Sequence, residues 1–493
     1  MDGLHRPESE SSTQFWLLLG AAGAGMRALS EILGDLKISL RGTDQRFSTP
    51  SDIEDFRSGC PGYPGVLLTC GASRDVLLSG VTHVAVSPAV PSDDDCLVAA
   101  RRRGIPVFSL VEAVQNLTES SYRVCVAGTH GKSTTTAMIW WVAKHWMDQG
   151  STSSPQVPGL YCGGELIGLG RHGVCCAIAH DEGKRVSVIE SCEYRRSFLK
   201  LSPDIAVLTG VDRDHFDCFP SESEEQRAFE GFLSRVSRSG AVIVNSDCPR
   251  AIEAALASDR RLVRVGWGSE ADVRGSMLGN ASGCLRVGVR HRTADLGEIE
   301  ISIPGRHNAI NAMFAVAACL ELGIPFSVIR SGIRGFPGVR RRFERTGGWQ
   351  GLTWIDDYAH HPDAVRVTLE TAKLVYPGKR LVAVFEPHQM SRTQVFSSQF
   401  ADALAIADEI LLLPVLAARE SASWMDCCRQ SGEIVSSLNQ RGRRAFLLAN
   451  LDQVIGRIDH SARPGDVVVT MGAGRTNQIH DEYHRRVFRD SAA

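Results

Sequence analysis

Residues 124–139 read VCVAGTHGKSTTTAMI: an apolar run, the loop Gly128-Thr129-His130-Gly131-Lys132-Ser133-Thr134, and then the spacing of a helix. Strand, glycine loop and helix start in that order build a cradle for a polyphosphate, so this stretch constrains the fold more tightly than any other. Glycines let backbone N–H groups close on phosphate oxygens, and a helix N-terminus favours negative charge. Lys132 is long enough to reach β and γ oxygens, and the Ser133 hydroxyl suits Mg²⁺. The expectation is an ATP or GTP site inside a parallel α/β domain. The full Walker spacing also needs glycine at position 126, which is Val126 here, so the reading rests on the order of the elements.

At 493 residues the chain exceeds what one hydrophobic core supports, and about three domains are expected. A formal net charge of -2 argues against nucleic acid or an anionic membrane as a partner, and leaves oligomeric state open. Fourteen cysteines are scattered without paired metal-ligand spacing. Cys175-Cys176 and Cys427-Cys428 are therefore expected as small buried or half-buried residues in a reducing cytosol. Phe15 to Ala22 has the length of a signal-peptide apolar region, but residues 1–14 carry Asp2, Glu8 and Glu10 against Arg6, whereas a secretory leader is basic. No window approaches the roughly 18 apolar residues of a membrane span. The reading is a disordered polar tail and then a buried first strand, in a cytoplasmic protein.

That strand feeds Gly20-Ala21-Ala22-Gly23-Ala24-Gly25-Met26, a helix through Leu33, a second strand Lys37 to Leu40, and Gly42-Thr43-Asp44. The order is that of a Rossmann-type nucleotide site, yet the spacing is not G-x-G-x-x-G, and a turn needed only for close helix packing fits the segment equally well. Further βα units are expected at Gly65 to Thr69, at Val81 to Val86 before Ser87-Pro88-Ala89, and at Gly104 to Val107. Residues 1–120 then form one parallel α/β domain.

Beyond the phosphate loop, the strand Val186 to Ile189 delivers Glu190 at its carboxyl end, with Glu193 following. The strand Ile205 to Leu208 ends in Thr209-Gly210-Val211-Asp212-Arg213-Asp214-His215. Residues past the carboxyl ends of parallel strands collect at the ligand crevice, which would turn Glu190 and His215 to the same triphosphate. A carboxylate there suits Mg²⁺. Each alone reads equally as a surface ion pair or a turn histidine; together, after a phosphate loop, they favour the site. Further on, Arg306-His307-Asn308-Ala309-Ile310-Asn311 opens an apolar helix that runs to Leu322. Its sequence distance from the loop points to a distant wall of the pocket. Asn308 and Asn311 could read a base edge, but helix capping by Asn308 is the reading that spacing favours.

A third segment begins near Gly338 with the basic run Arg340-Arg341-Arg342. Such runs are usually solvated, although a planar guanidinium at a domain boundary can clamp a phosphate. The strand Leu352 to Ile355 ends in Asp356-Asp357-Tyr358-Ala359-His360-His361-Pro362, and the strand Leu381 to Phe385 in Glu386-Pro387-His388-Gln389-Met390-Ser391-Arg392-Thr393. Two strand ends so loaded predict a second polar site. A zinc reading of the paired histidines fails for want of a cysteine or acid at ligand spacing, and a small anionic substrate fits better.

GAAGAGM, GTHGKSTTTAM, RHNAIN, RRFE, DDYAHHP and PHQMSRT follow one another in the order seen in the Mur ligases, and the chain resembles that family from about residue 14 to about residue 475. The phosphate loop is shared with all Mur ligases and with folylpolyglutamate synthases. DDYAHHP with PHQMSRT is the specific part, and resembles the members that join L-alanine to UDP-N-acetylmuramate. The resemblance implies an α/β chain of three domains: a Rossmann-like domain (1–120) for the UDP end of the substrate, a P-loop ATPase-like domain with a parallel sheet (121–337) for ATP, and a Rossmann-like domain (338–493) for the amino acid.

By the same resemblance the lactyl carboxylate attacks the γ-phosphate of ATP and the amine of L-alanine then displaces phosphate. Lys132, Glu190 and His215 are implied as catalytic, with Ser133 and Glu190 on one Mg²⁺ and His215 on a second. His307, Asn308 and Asn311 fall to the nucleotide, Asn308 and Asn311 as adenine contacts, and Arg342 and Asp357 to phosphate and ribose. Tyr358, His360, His388 and Arg392 fall to L-alanine, and Gly23, Gly25, Met26, Asp44 and Ser87 to the uridine diphosphate. The chain departs from the family pattern at several places. Cys192, Tyr194 and Arg195 stand where two acids and a serine are usual after Glu190, Gln389 replaces an arginine, Ala22 a glycine, and Arg475 an aspartate. The alternatives are a murein-tripeptide ligase of the same superfamily and a nucleotide-sensing P-loop protein without chemistry.

Overall fold

The computed structural model describes residues 14–58, 65–149, 157–176, 185–214, 218–281, 284–418 and 420–491. Strands β1 (Phe15–Leu19), β2 (Ser39–Thr43), β3 (Leu67–Thr69), β4 (His83–Val86) and β5 (Val107–Ser109) form a parallel sheet in the order β3-β2-β1-β4-β5. Its central strand is apolar throughout because helices cover both faces: Leu18 packs with Leu29 on one side and Leu17 with Leu97 on the other. The order in which strands are added reverses between β1 and β4, and in open α/β sheets a crevice for ligands lies beyond such a switch point. The second strand begins two residues later than its sequence predicts. Lys37 takes a left-handed φ of 57° and closes the preceding helix with a bond from its N–H to the Gly34 carbonyl, so extended backbone cannot start there. The strand expected at Gly104 to Val107 is likewise displaced, to Val107–Ser109.

The second sheet holds ten strands: β6 (Tyr122–Ala127), β7 (Gly159–Leu166), β8 (Arg171–Val174), β9 (Val186–Glu190), β10 (Ile205–Leu208), β11 (Ala241–Asn245), β12 (Leu262–Gly266), β13 (Val273–Ala281), β14 (Cys284–His291) and β15 (Ala294–Ile301). Their order is β15-β14-β13-β12-β11-β10-β6-β9-β7-β8, with the phosphate-loop strand β6 near the middle. The sheet is mixed rather than parallel, since β13–β15 and the β7–β8 hairpin run antiparallel. Two helices, Lys132–Gln149 and Arg306–Glu321, are apolar nearly all round because they pack on the sheet and on each other. Trp140 and Phe314 are fully buried in this core; side chains of that size each contribute about 1.5–3 kcal/mol.

The third sheet comprises β16 (Glu344–Gly347), β17 (Thr353–Asp357), β18 (Leu381–Phe385), β19 (Glu409–Leu412), β20 (Arg444–Leu447) and β21 (Val467–Met471), in the order β16-β17-β21-β18-β19-β20, parallel except for β16. Polar contacts join the sheets. From the helix Ala24–Asp35, buried Glu31 accepts the backbone N–H groups of His172 and Gly173 (2.7 Å each) on the free edge of β8. A Cβ at Gly173 would lie 2.1 Å from the Ala28 carbonyl, so only glycine permits this approach. Glu165 on β7 binds Arg27 of the Ala24–Asp35 helix (3.4 Å) and, just before β16, Arg340 (2.7 Å).

Candidate active site

The phosphate loop closes as strand, turn and helix. Gly128 (φ 129°) and Gly131 (φ 81°) occupy backbone conformations that favour glycine. A Cβ on Gly128 would lie 2.3 Å from Thr209 Oγ1, and one on Gly131 2.4 Å from Asn311 Oδ1. The loop is thus held between the end of β10 and the Arg306–Glu321 helix. Thr209 donates to the His130 carbonyl (2.5 Å), and Thr129 Oγ1 donates to the Asp212 carbonyl (3.0 Å). Lys132 Nζ donates to the carbonyls of Gly128 (2.5 Å) and Thr129 (3.2 Å) and pairs with buried Glu193 at 3.0 Å. Burial alone would lower the lysine pKa; Glu193 and Glu190 outweigh it and raise it, so Lys132 stays charged. Thr134 is buried in the first helical turn.

Ser133 is where three parts of the chain meet. Its hydroxyl donates to Glu190 Oε1 (3.0 Å) and accepts from Arg342 Nη2 (3.2 Å). Glu190 Oε2 takes the Gly163 N–H (2.6 Å) from β7. A hydroxyl and a carboxylate brought together beside a phosphate cradle are the oxygen donors a hard divalent cation prefers. His215 lies outside the described residues.

The helix from Arg306 overturns the expectation of a distant wall. Asn311 Oδ1 accepts from Thr135 Oγ1 (3.4 Å) inside the first turn after the loop, although 176 residues separate them. Nor is Asn308 a helix cap: Gly305 holds that position with φ 103°, and Asn308 Nδ2 donates back to the Pro304 carbonyl (2.6 Å). Asn311 Nδ2 donates to Asn308 Oδ1 (3.3 Å), which links the two amides. Burial and Arg342 push the His307 pKa down to about 4, so its ring is neutral, and Nδ1 has no hydrogen-bond partner among the described residues.

Arg340 of the arginine run is exposed and Arg341 and Arg342 are half-buried, but each of the three is paired. Arg340 goes to Glu165 and Glu344, Arg341 to Asp356 and the carbonyls of Gly472 and Gly474, and Arg342 to Ser133. Arg341 and Arg342 both lie over the Tyr358 ring, with guanidinium carbons 5.3 Å from its centre. Asp357 accepts the N–H groups of Phe343 and Ala359 (2.8 Å each), and burial raises its pKa to about 6.

Tyr358, His360 and His388 gather in one place. The rings of Tyr358 and His360 are 5.2 Å apart, and those of His360 and His388 6.2 Å. His360 Nδ1 bonds the Tyr358 carbonyl (2.9 Å), and burial drives its pKa well down. Arg392 sits beside His388 but turns Nε and Nη2 to Asp214 Oδ1 of the central domain (3.0 and 2.6 Å), with both side chains buried. Gln389 is buried with φ 71° at the start of a short helix. His361 caps the Pro362–Val375 helix and lies 5.2 Å, ring to ring, from His130 of the phosphate loop. Burial lowers the pKa of both.

In the first domain, Gly23 precedes the helix and Gly25 lies in its first turn, where a Cβ would fall 2.6 Å from Tyr161 Oη of β7. Met26 places its side chain in the core. Asp44 accepts the Ala22 N–H (2.9 Å) and pairs with Arg46, so it holds the glycine loop. Ser87 follows β4, and a Cβ on Gly20 would lie 2.7 Å from its Cβ, which sets the two strand-end loops side by side. Gly25 packs tightly, as the packing reading of the glycine turn expects, and the turn sits at the switch point of the sheet. Sequence reasoning named Glu193 and Asp214 without giving them a role and passed over Tyr161 and Glu165; the Gly163-Gly164-Glu165 triplet was the overlooked signal.

The Mur ligase middle domain matches residues 126–319 and the Mur ligase, glutamate ligase domain matches residues 341–474. The chain is 32% identical to the UDP-N-acetylmuramate--L-alanine ligase of Desulfosudis oleivorans, covering 94% of this chain and 96% of that one. The chain belongs to the Mur ligase family. This Mur ligase is also 34% identical to the UDP-N-acetylmuramate--L-alanine ligase of Mycolicibacterium smegmatis, covering 94% of this chain and 93% of that protein. The crystal structure of the UDP-N-acetylmuramate-alanine ligase of Thermotoga maritima shares its fold with a TM-score of 0.77 at 23% identity, over 97% of this chain and 99% of that one. The antiparallel β13–β15 lies within the residues matched by the Mur ligase middle domain.

Proposed function

We propose that this Mur ligase joins L-alanine to the lactyl carboxylate of UDP-N-acetylmuramate at the expense of ATP, in peptidoglycan precursor synthesis in the cytoplasm. The convergence of Glu190 and Arg342 on Ser133, beside Lys132, carries the reading. It sets a loop cation, a carboxylate and a guanidinium from the third domain around one phosphate cradle.

The proposed organisation divides the chain at residues 120 and 337. Residues 1–120 take the UDP end in the crevice between the Gly20–Gly25 turn and Ser87, with Asp44 holding the turn. Residues 121–337 bind ATP through Gly128 to Thr134, with His307, Asn308 and Asn311 toward the base. Arg342 and Asp357 complete that site from the third domain, residues 338–493. L-alanine is received where Tyr358, His360, His388 and Arg392 meet. No helix among the described residues is long and apolar enough to cross a membrane, which accords with nucleotide substrates in solution.

A carboxylate oxygen attacks the γ-phosphorus, the bond to the bridging oxygen breaks and ADP leaves. The alanine amine then attacks the acyl carbon of the acyl phosphate; inorganic phosphate leaves and the nitrogen gives up a proton. Two anions must meet in the first step, so charge stabilisation is the main work. Lys132 supplies it by exchanging loop carbonyls for phosphate oxygens. Ser133 and Glu190, with His215, would hold Mg²⁺, which withdraws charge from the phosphates when bound. Neutral His360 suits reception of an amine that must not be protonated when it attacks.

Mass spectrometry of a mixture of the protein, UDP-N-acetylmuramate, L-alanine, ATP and Mg²⁺ tests the proposal. The expected product is the alanyl amide with one ADP for each bond, formed only with all substrates present. A product formed with murein tripeptide and not with L-alanine, or ADP release without amide, would overturn it.

A further inference from the structure

The departures after Glu190 include Arg195, which Arg196 follows directly, and the two arginines meet different fates. Arg195 and Arg196 are adjacent, both exposed, and both left-handed (φ 51° and 55°). Arg196 is neutralised: its Nη2 pairs with Glu224 Oε2 at 2.7 Å, and its guanidinium lies over the Phe219 ring. Arg195 has no carboxylate partner among the described residues. It lies over the Tyr194 ring and crosses to the first domain, where Nη1 donates to the Pro88 carbonyl (2.5 Å). Its other guanidinium N–H groups carry no hydrogen bond to the described residues.

Pro88 follows Ser87 at the carboxyl end of β4, beside the Gly20–Gly25 turn. That is the switch point of the first sheet, and the N-terminus of the Ala24–Asp35 helix opens there. Switch-point crevices and helix N-termini take phosphates, and a planar guanidinium binds them with two parallel hydrogen bonds. We infer that Arg195 is a substrate-specificity residue of this ligase: supplied by the central domain, it binds the diphosphate of the UDP-linked substrate held at the first-domain crevice. The inference rests on the function proposed above and adds a contact made across two domains. One consequence is that the UDP end is gripped fully only while the first and central domains are docked.

Binding of UDP-N-acetylmuramate, UDP and uridine, measured by titration calorimetry without ATP, tests it in the full-length wild type and in Arg195→Ala, Arg195→Gly, Arg195→Lys and Arg196→Ala. Arg195→Ala should weaken both diphosphates about tenfold and leave uridine unchanged, as expected for the loss of a charge-assisted hydrogen bond. Arg195→Gly, which suits the positive φ, should behave alike, and Arg195→Lys should recover much of the loss. The KM for ATP should stay within about twofold, and Arg196→Ala should bind all three ligands normally. If uridine weakens as much as UDP, Arg195 only braces the Pro88 loop and the inference falls; unchanged UDP affinity also overturns it. A wild type that binds neither UDP nor UDP-N-acetylmuramate would instead overturn the proposed function, and this contact with it.

Discussion

The phosphate loop and the third-domain cluster are both polar sites at strand ends, but they are built differently. In the loop, seven consecutive residues do most of the work: Lys132 reaches Gly128 and Thr129, and Ser133 follows at the helix start. In the third domain, the strongest cation, Arg392, is committed to Asp214, 178 residues away in another domain. The loop's own cradle is organised locally, with Arg342 added from the third domain, whereas the arginine of the second site is held by an ion pair between two domains. Damage to the loop should therefore act chiefly on chemistry, whereas damage to the Arg392–Asp214 pair should act on both chemistry and the docking of the domains.

Lys132→Ala should have the largest effect, lowering kcat by three or more orders of magnitude because it removes a main γ-phosphate charge partner, and Tm should fall as well because buried Glu193 loses this cation. Steady-state kinetics with a thermal melt checks it; a near-normal rate would take the chemistry away from this loop. Glu190→Gln keeps one acceptor oxygen, enough for the Gly163 N–H, but loses the second acceptor and the charge, so kcat should fall about a hundredfold and the Mg²⁺ dependence should shift to higher concentration. An unchanged Mg²⁺ titration would free Glu190 from metal binding.

Arg392→Ala sharpens the contrast. It leaves Asp214 buried without its cation, and breaking a buried pair costs about 3–5 kcal/mol, so Tm should drop while the L-alanine KM rises. Asp214→Asn should reproduce the loss of Tm with a smaller rise in KM. If Arg392→Ala raises the L-alanine KM at unchanged Tm, the ion pair does not hold the domains together; if it raises the KM for ATP alone, the residue belongs to the nucleotide site.

The smallest expected effect concerns Asp357. Its folded pKa near 6 lies above its ordinary value of 3.8, so the folded state binds the extra proton between those values. Stability from this group is therefore greatest below about pH 4 and falls as pH rises to about 6. Relative to the wild type, Asp357→Asn should gain a few °C in Tm across that window and then level off. A constant Tm difference from pH 4 to pH 7 would show that the carboxyl does not titrate there.

Much of this ligase was legible in its sequence, for reasons that differ by region. Strands β10 and β18 fall where their apolar runs lie, because strands covered on both faces are apolar without interruption. β13–β15 went unread, since alternation such as Val287, Val289 and Ile299, Ile301 was hidden among charged residues on the open face. Asn311 was misplaced because separation along the chain says nothing about separation across a folded sheet. Gln389, where the family pattern has an arginine, has a buried side chain at a helix start with left-handed backbone, which its sequence did not announce.

By itself the sequence determined the elements that short-range physics controls: the glycine-closed phosphate loop, the buried parallel strands, the helices packed on them, and the polar strand ends. Only the tertiary structure decided which of those ends face one another. It assigned Arg340, Arg341 and Arg342 to three different partners, gave Arg392 to Asp214, and separated the neutralised Arg196 from the outstretched Arg195. A side chain's charge is set by its own chemistry, but its partner depends on how whole domains pack, and that packing is not periodic in sequence.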